Sequence, residues 1–179
     1  MDYNEIVVPL MRALLLQEEY EDVLDTAVDE PALSAEELTS VWLLRGAANY
    51  AWTAYQSADS AYDEALALSA DDPEAGLGKA KVAAHLDSLD SAKKWLDKVF
   101  ETSPDYAPAW SFLADIEQFL QNAQAAEVAY GKALETRPHH VYDLANRALM
   151  RIFQNKMQSA NEDFQAARRG NAKLKVKQP

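Results

Sequence analysis

Residues 107–140 read APAWSFLADIEQFLQNAQAAEVAYGKALETRPHH. Trp110, Leu113 and Ala114 follow one another at three- and one-residue steps, and Ala126, Tyr130, Ala133 and Leu134 at steps of four, three and one. Each set falls on one face of an α-helix. Pro138 ends the stretch, because proline cannot continue a helix interior. The frame returns 34 positions later as Leu144, Arg147, Ala148, Ala160, Phe164 and Ala167. A period of this length predicts stacked helical hairpins, each too small to bury its own apolar faces.

Upstream, Gly46 stands where two helices approach closely. Trp42 lies before it, and Ala58, Tyr62 and Ala65 after it, at the same spacings. Asp72-Pro73 opens the next helix, with Asp72 as N-cap and Pro73 in the first turn. With Leu77 and Gly78 taken as that helix's large-small pair, Ala92, Leu96, Val99 and Phe100 arrive two positions late. The expectation is therefore a longer turn at 85–89. Val7, Leu10, Met11 and Leu14 mark a helix near the start, and Tyr20, Val23, Leu24 and Ala27 a second. Ser34 and Glu37 form a capping box for the helix leading to Trp42. The expected layout is all-α, with about ten helices. A degraded hairpin spans 1–34, repeats span 35–72, 73–106, 107–140 and 141–170, and a basic tail covers 171–179. Trp42, Tyr62, Trp110, Tyr130 and Phe164 are expected to fill gaps between hairpins.

Composition agrees with a helical, well-packed chain. Of 179 residues, 49% are apolar and only five are glycine. Pro9 and Arg12 interrupt the early apolar run, so no stretch approaches the ~20 residues of a membrane span. No signal peptide is visible. Without cysteine the chain has no disulfide, thiolate ligand or thiol nucleophile. Net charge is −12, which repels phosphate backbones and argues against nucleic acid as a partner. Lys173, Lys175 and Lys177 make a small basic tail, expected to be solvated.

Chemistry is sparse. His85, His139 and His140 are the only histidines, and no two are spaced for a helical metal site. His139 and His140 follow Pro138 in a turn, where exposure is expected. No phosphate-binding loop, nucleophile elbow or glycine-rich nucleotide turn is present. Paired carboxylates such as Glu18-Glu19 and Asp71-Asp72 suit helix ends and solvent. The expectation is a binding protein, not an enzyme, with no cofactor and no metal.

The 34-residue frame resembles the tetratricopeptide repeat (TPR). The resemblance implies a curved stack whose inner surface is lined by positions 2, 5, 6, 9, 12 and 13 of each first helix. In the third repeat these are Pro108, Ser111, Phe112, Asp115, Gln118 and Phe119. In the fourth they are Tyr142, Ala145, Asn146, Leu149, Ile152 and Phe153. The first contributes Leu43, Leu44, Ala47, Tyr50 and Ala51, and the second Ala75, Lys79, Val82 and Ala83. The candidate partner groove is thus Tyr50, Lys79, Phe112, Asp115, Phe119, Tyr142, Asn146 and Leu149. The competing reading is that these rings pack against neighbouring helices. The basic clamp with which some TPR proteins hold heat-shock chaperones is missing. Leu43, Ala47, Gly76, Pro108 and Phe112 stand in its places.

Residues 7–20 (VVPLMRALLLQEEY), 23–25, 71–78 and 103–110 are similar to segments of the TPR lipoprotein of bacterial PEP-CTERM/exosortase exopolysaccharide systems. That resemblance implies an internal piece of a long lipid-anchored array, a scaffold for export or protein sorting at the cell envelope or periplasm. The alternatives are a cytoplasmic peptide-binding TPR adaptor and a regulatory TPR domain of a larger enzyme. The implied partner is another protein or peptide. No direct membrane insertion is expected, and exposed end repeats would permit homo-oligomers.

Overall fold

The computed structural model describes residues 3–86 and 88–176, with side chains from 6 to 86 and from 88 to 170. Among the described residues the secondary structure is helical throughout, with ten α-helices and no strand. They are α1 (Tyr3–Leu16), α2 (Tyr20–Asp25), α3 (Ala35–Ala51), α4 (Tyr55–Leu68), α5 (Pro73–Leu86), α6 (Leu89–Thr102), α7 (Ala107–Phe119), α8 (Ala123–Thr136), α9 (Val141–Phe153) and α10 (Met157–Val176). A single 3-10 turn, Glu30–Ala32, precedes α3. The chain divides into two compact units, Met1–Thr102 and Ser103–Pro179.

In the first unit, consecutive helices pack in hairpins. Val7 and Met11 of α1 and Val23 of α2 are buried with Val41, Leu44 and Ala48 of α3. Leu10, expected in the same stripe, is exposed instead. α2 ends at Asp25, so Ala27 lies outside it. The Ser34–Glu37 capping box forms in full. Asp72 Oδ1 accepts the amides of Glu74 and Ala75 and so caps α5.

Tyr62 of α4 is clamped between α3 and α5. A methyl group on Gly46 would come within 2.6 Å of its ring, and one on Gly78 would overlap the ring as well. Both glycines are therefore required by close approach. Gly78, however, is not the counterpart of Gly46 in the repeat. Ala80 is fully buried and lies 34 positions after Gly46 and 34 before Ala114. Counted from Ala80, the two-residue slip disappears. The longer turn expected at 85–89 is also absent, since only two positions separate Leu86 from Leu89.

In the second unit, α7 packs on α8, α8 on α9 and α9 on α10. Ala114, Ala126, Ala129, Tyr130 and Met150 form one buried cluster, and Leu134, Leu144 and Ala167 another. Tyr62 and Tyr130 are buried, whereas Trp42, Trp110 and Phe164 are half-buried. α10 continues to Val176, across positions expected to form the tail. Lys177 and the side chains of Lys173 and Lys175 lie outside the described residues.

The hairpin turns repeat in detail. Thr53, Gln121 and Asn155 all have φ near +60°, at equivalent repeat positions. The next amide in each case reaches back to a carbonyl five residues earlier, Ala54 to Asn49, Asn122 to Glu117 and Lys156 to Arg151. This is the Schellman ending of a helix. Glu18 and the Glu19–Leu14 bond reproduce it after α1, so the degraded hairpin keeps the same turn.

Candidate protein-binding face

The residues expected to line one groove fall in both units. Tyr50 and Lys79 belong to the first, and Phe112, Asp115, Phe119, Tyr142, Asn146 and Leu149 to the second. Lys79 must be removed from the groove. Its side chain is only 8% exposed, and its ammonium sits 2.7 Å from both Asp59 and Asp63 of α4. The Trp95 ring lies 5.5 Å away on another side. The error follows from the misplaced frame. Counting from Ala80, Lys79 holds an inter-helix position, and the inner positions pass to residues such as Lys81 and His85. Ala75 and Val82 are likewise buried, as is Leu44 in the first repeat.

Tyr50 is occupied within its own unit. Its hydroxyl lies 2.9 Å from His85 Nε2, while the His85 ring stacks on Tyr55 at 4.5 Å. Burial, then the neighbouring Tyr55, raises the Tyr50 pKa. Sequence reasoning overlooked His85 in this role because the shifted frame placed it in a turn.

In the second unit, α7 and α9 present a continuous set of side chains. Asp115 and Phe119 lie one helical turn apart, and Phe112 lies one turn before Asp115, so all three share a face of α7. Phe112 is half-buried, whereas Phe119 is 78% exposed. α9 contributes Tyr142, the half-buried Asn146, Leu149 and Phe153, the last 72% exposed. Phe119 and Phe153 end their helices at the same repeat position.

Asp115 ties this face together. Its Oδ1 accepts the Tyr130 hydroxyl at 2.6 Å and the Tyr142 hydroxyl at 2.8 Å. The two rings meet edge to face, 6.4 Å apart. Burial, followed by the bond to Asp115, pushes the Tyr142 pKa up to about 12 and that of Tyr130 higher still. Both hydroxyls therefore stay protonated donors at neutral pH.

Two further polar clusters were not anticipated. Asp143 is fully buried; it accepts the Ser111 hydroxyl at 2.8 Å and Arg137 at 3.0 Å, and meets His140 Nδ1 at 2.8 Å. His140 is thus a paired, half-buried group, while His139 is exposed. The carboxylate stands between serine and histidine, so the histidine is not placed to take the serine proton. The second cluster joins α8, α9 and α10. Arg147 grips Asp163 with two bonds, and Arg151 bridges Asp163 and Glu127. Burial raises the Glu127 pKa, but bonds from Lys156, Arg151 and Gln154 outweigh it and hold the carboxyl below its usual range. The signal missed in the sequence was an Arg on a first helix 16 positions before an Asp on its partner helix.

Among the described residues no group of three or more His, Asp or Glu side chains is placed to hold a metal. No described helix is long and apolar enough to cross a membrane. An open depression of about 570 Å³ lies on another side of α7 and α8, lined by Trp110, Leu113, Ala123, Val128 and Ala129 among others.

Comparison with known proteins points the same way as the hairpins. MamA from Desulfovibrio magneticus RS-1 (residues 41 to the end) is 18% identical, with 97% of each chain covered and a TM-score of 0.65. BtubC from P. vanneervenii is 17% identical, with 98% of this chain and 82% of that one covered and a TM-score of 0.70. YrrB, described as a TPR protein with an unusual peptide-binding site, is 16% identical over 90% of this chain and 82% of its own, at a TM-score of 0.56. No curated protein matches, so the resemblance to the exosortase-associated lipoprotein finds no support there. Tetratricopeptide repeat models match residues 53–116 and 107–140, and this chain therefore carries tetratricopeptide repeats through its central region.

Proposed function

We propose that this protein is a non-catalytic interaction scaffold that holds a segment of another protein on the α7–α9 face. The observation that carries the reading is the exposure of Phe119 and Phe153, 78% and 72%, at equivalent positions and beside Tyr142 and Leu149. Large apolar side chains kept in water by a rigid support are where binding energy concentrates. Repeat stacks work by such surfaces, and YrrB, which shares the fold, is described as having a peptide-binding site. The test is site-specific photocrosslinking in the cells that make the protein. A benzophenone side chain at 119 or 153 is expected to trap a discrete partner that a probe at Lys132, on α8, does not. Identical adduct patterns at all three positions would remove the proposal.

The setting we propose is the bacterial cell envelope, in exopolysaccharide export or PEP-CTERM sorting. Its support is the likeness of residues 7–20, 23–25, 71–78 and 103–110 to that lipoprotein family. Fractionation of the native cell tests it, with recovery in the cytosol opposing it and favouring the cytoplasmic adaptor.

A further inference from the structure

The α7–α9 face carries one formal charge. Among its inner positions, Pro108, Ser111, Phe112, Gln118 and Phe119 on α7 are neutral, as are Tyr142, Ala145, Asn146, Leu149, Ile152 and Phe153 on α9. The exception is Asp115. Both tyrosine hydroxyls reach its Oδ1, and among the described residues no hydrogen bond is made to Oδ2. Four basic side chains of the unit are held on other carboxylates. Arg137 is on Asp143, Arg147 on Asp163, and Arg151 and Lys156 on Glu127. The half-buried Asp115 thus keeps one carboxylate oxygen without a hydrogen bond, on the helix face it shares with Phe112 and Phe119. Aromatic faces attract cations as well as apolar groups, and the one formal charge on this face is negative.

We infer that the partner segment carries a lysine or arginine flanked by apolar side chains. The cation closes on Asp115 Oδ2 beside Phe112 and Tyr142, and the apolar neighbours cover Phe119 and Phe153. This rests on the binding-face reading above and adds the chemistry of the occupant. An acidic segment or a free C-terminal carboxylate is disfavoured by the same oxygen.

Panning a random 12-residue phage-displayed peptide library on the full chain tests the idea. Enriched peptides are expected to share one Lys or Arg next to aromatic or aliphatic residues. Changing that cation to Gln in a synthetic copy should weaken binding about tenfold, the scale of one lost charge-assisted hydrogen bond. Asp115→Asn, which keeps an acceptor for both tyrosines, should abolish the preference for the cationic peptide over its Gln copy. Phe119→Ser with Phe153→Ser should abolish binding altogether at an unchanged melting temperature. Binding that needs the phenylalanines but ignores the peptide's charge overturns this inference alone. Peptides that bind equally well without the phenylalanines, or no enrichment at all, overturn the binding face together with it.

Discussion

At the scale of single residues, burial decides which aromatics serve packing and which remain for a partner. Phe112 and Phe119 are seven positions apart on α7, yet the first is half-buried and the second stands in water. Alanine at Phe119 should change stability by less than about 0.5 kcal/mol, whereas alanine at Phe112 should cost about 1–3 kcal/mol. Urea titration of the two variants checks this; equal losses would mean that Phe119 is packed in solution. Gly78→Ala places a methyl group against the Tyr62 ring and should destabilise by about 1–3 kcal/mol through overpacking. Tyr142 gives a pH signature. Its pKa is raised above the unfolded value, so its contribution is complete below about pH 10 and is lost as pH rises through about 12. Ultraviolet titration should show delayed ionisation of Tyr142, and Asp115→Ala should bring that ionisation to lower pH.

Among elements, the recurring feature is the helix ending rather than any helix. Thr53, Gln121 and Asn155 adopt a left-handed conformation without being glycine. That conformation costs a residue with a Cβ roughly 1–2 kcal/mol, least for Asn. A glycine relieves the cost but gives back part of it as unfolded-state entropy. Thr53→Gly should therefore stabilise by about 0.5–1 kcal/mol, and Asn155→Gly by less. A denaturation midpoint for Thr53→Gly at or below that of the parent would contradict this account. These turns were invisible in the sequence because no glycine marks them. The caps were legible, since Ser34, Glu37 and Asp72 act through bonds to residues two or three positions away.

For the molecule as a whole, charge is the dominant long-range property. Residues 18–37 hold nine acidic side chains and no basic one, within a net charge of −12. Self-repulsion of this kind weakens as salt screens it. Raising ionic strength from 10 to 500 mM should lift the melting temperature by about 2–4 °C, which is about 1 kcal/mol for a chain of this size. A fall in melting temperature would instead assign the larger electrostatic share to the Asp143 and Asp163 ion pairs. Their arginine–aspartate pairs join side chains from 6 to 16 positions apart, and the meeting of the helices matches them.

The sequence by itself determined the hairpins, because the 34-residue spacing of small and large residues is a local, periodic signal that helix geometry alone can read. It also supplied the candidate positions on α7 and α9. The frame of the second repeat is readable in the sequence too, since Ala80 lies 34 positions from both Gly46 and Ala114; only tertiary structure decided that Gly78 packs against the Tyr62 ring. It likewise decided that Lys79 is buried between two aspartates, and that Asp115 spends one oxygen on two tyrosines. A charge shows its type in the sequence. Which partner takes it depends on which helices meet, and that is settled by packing.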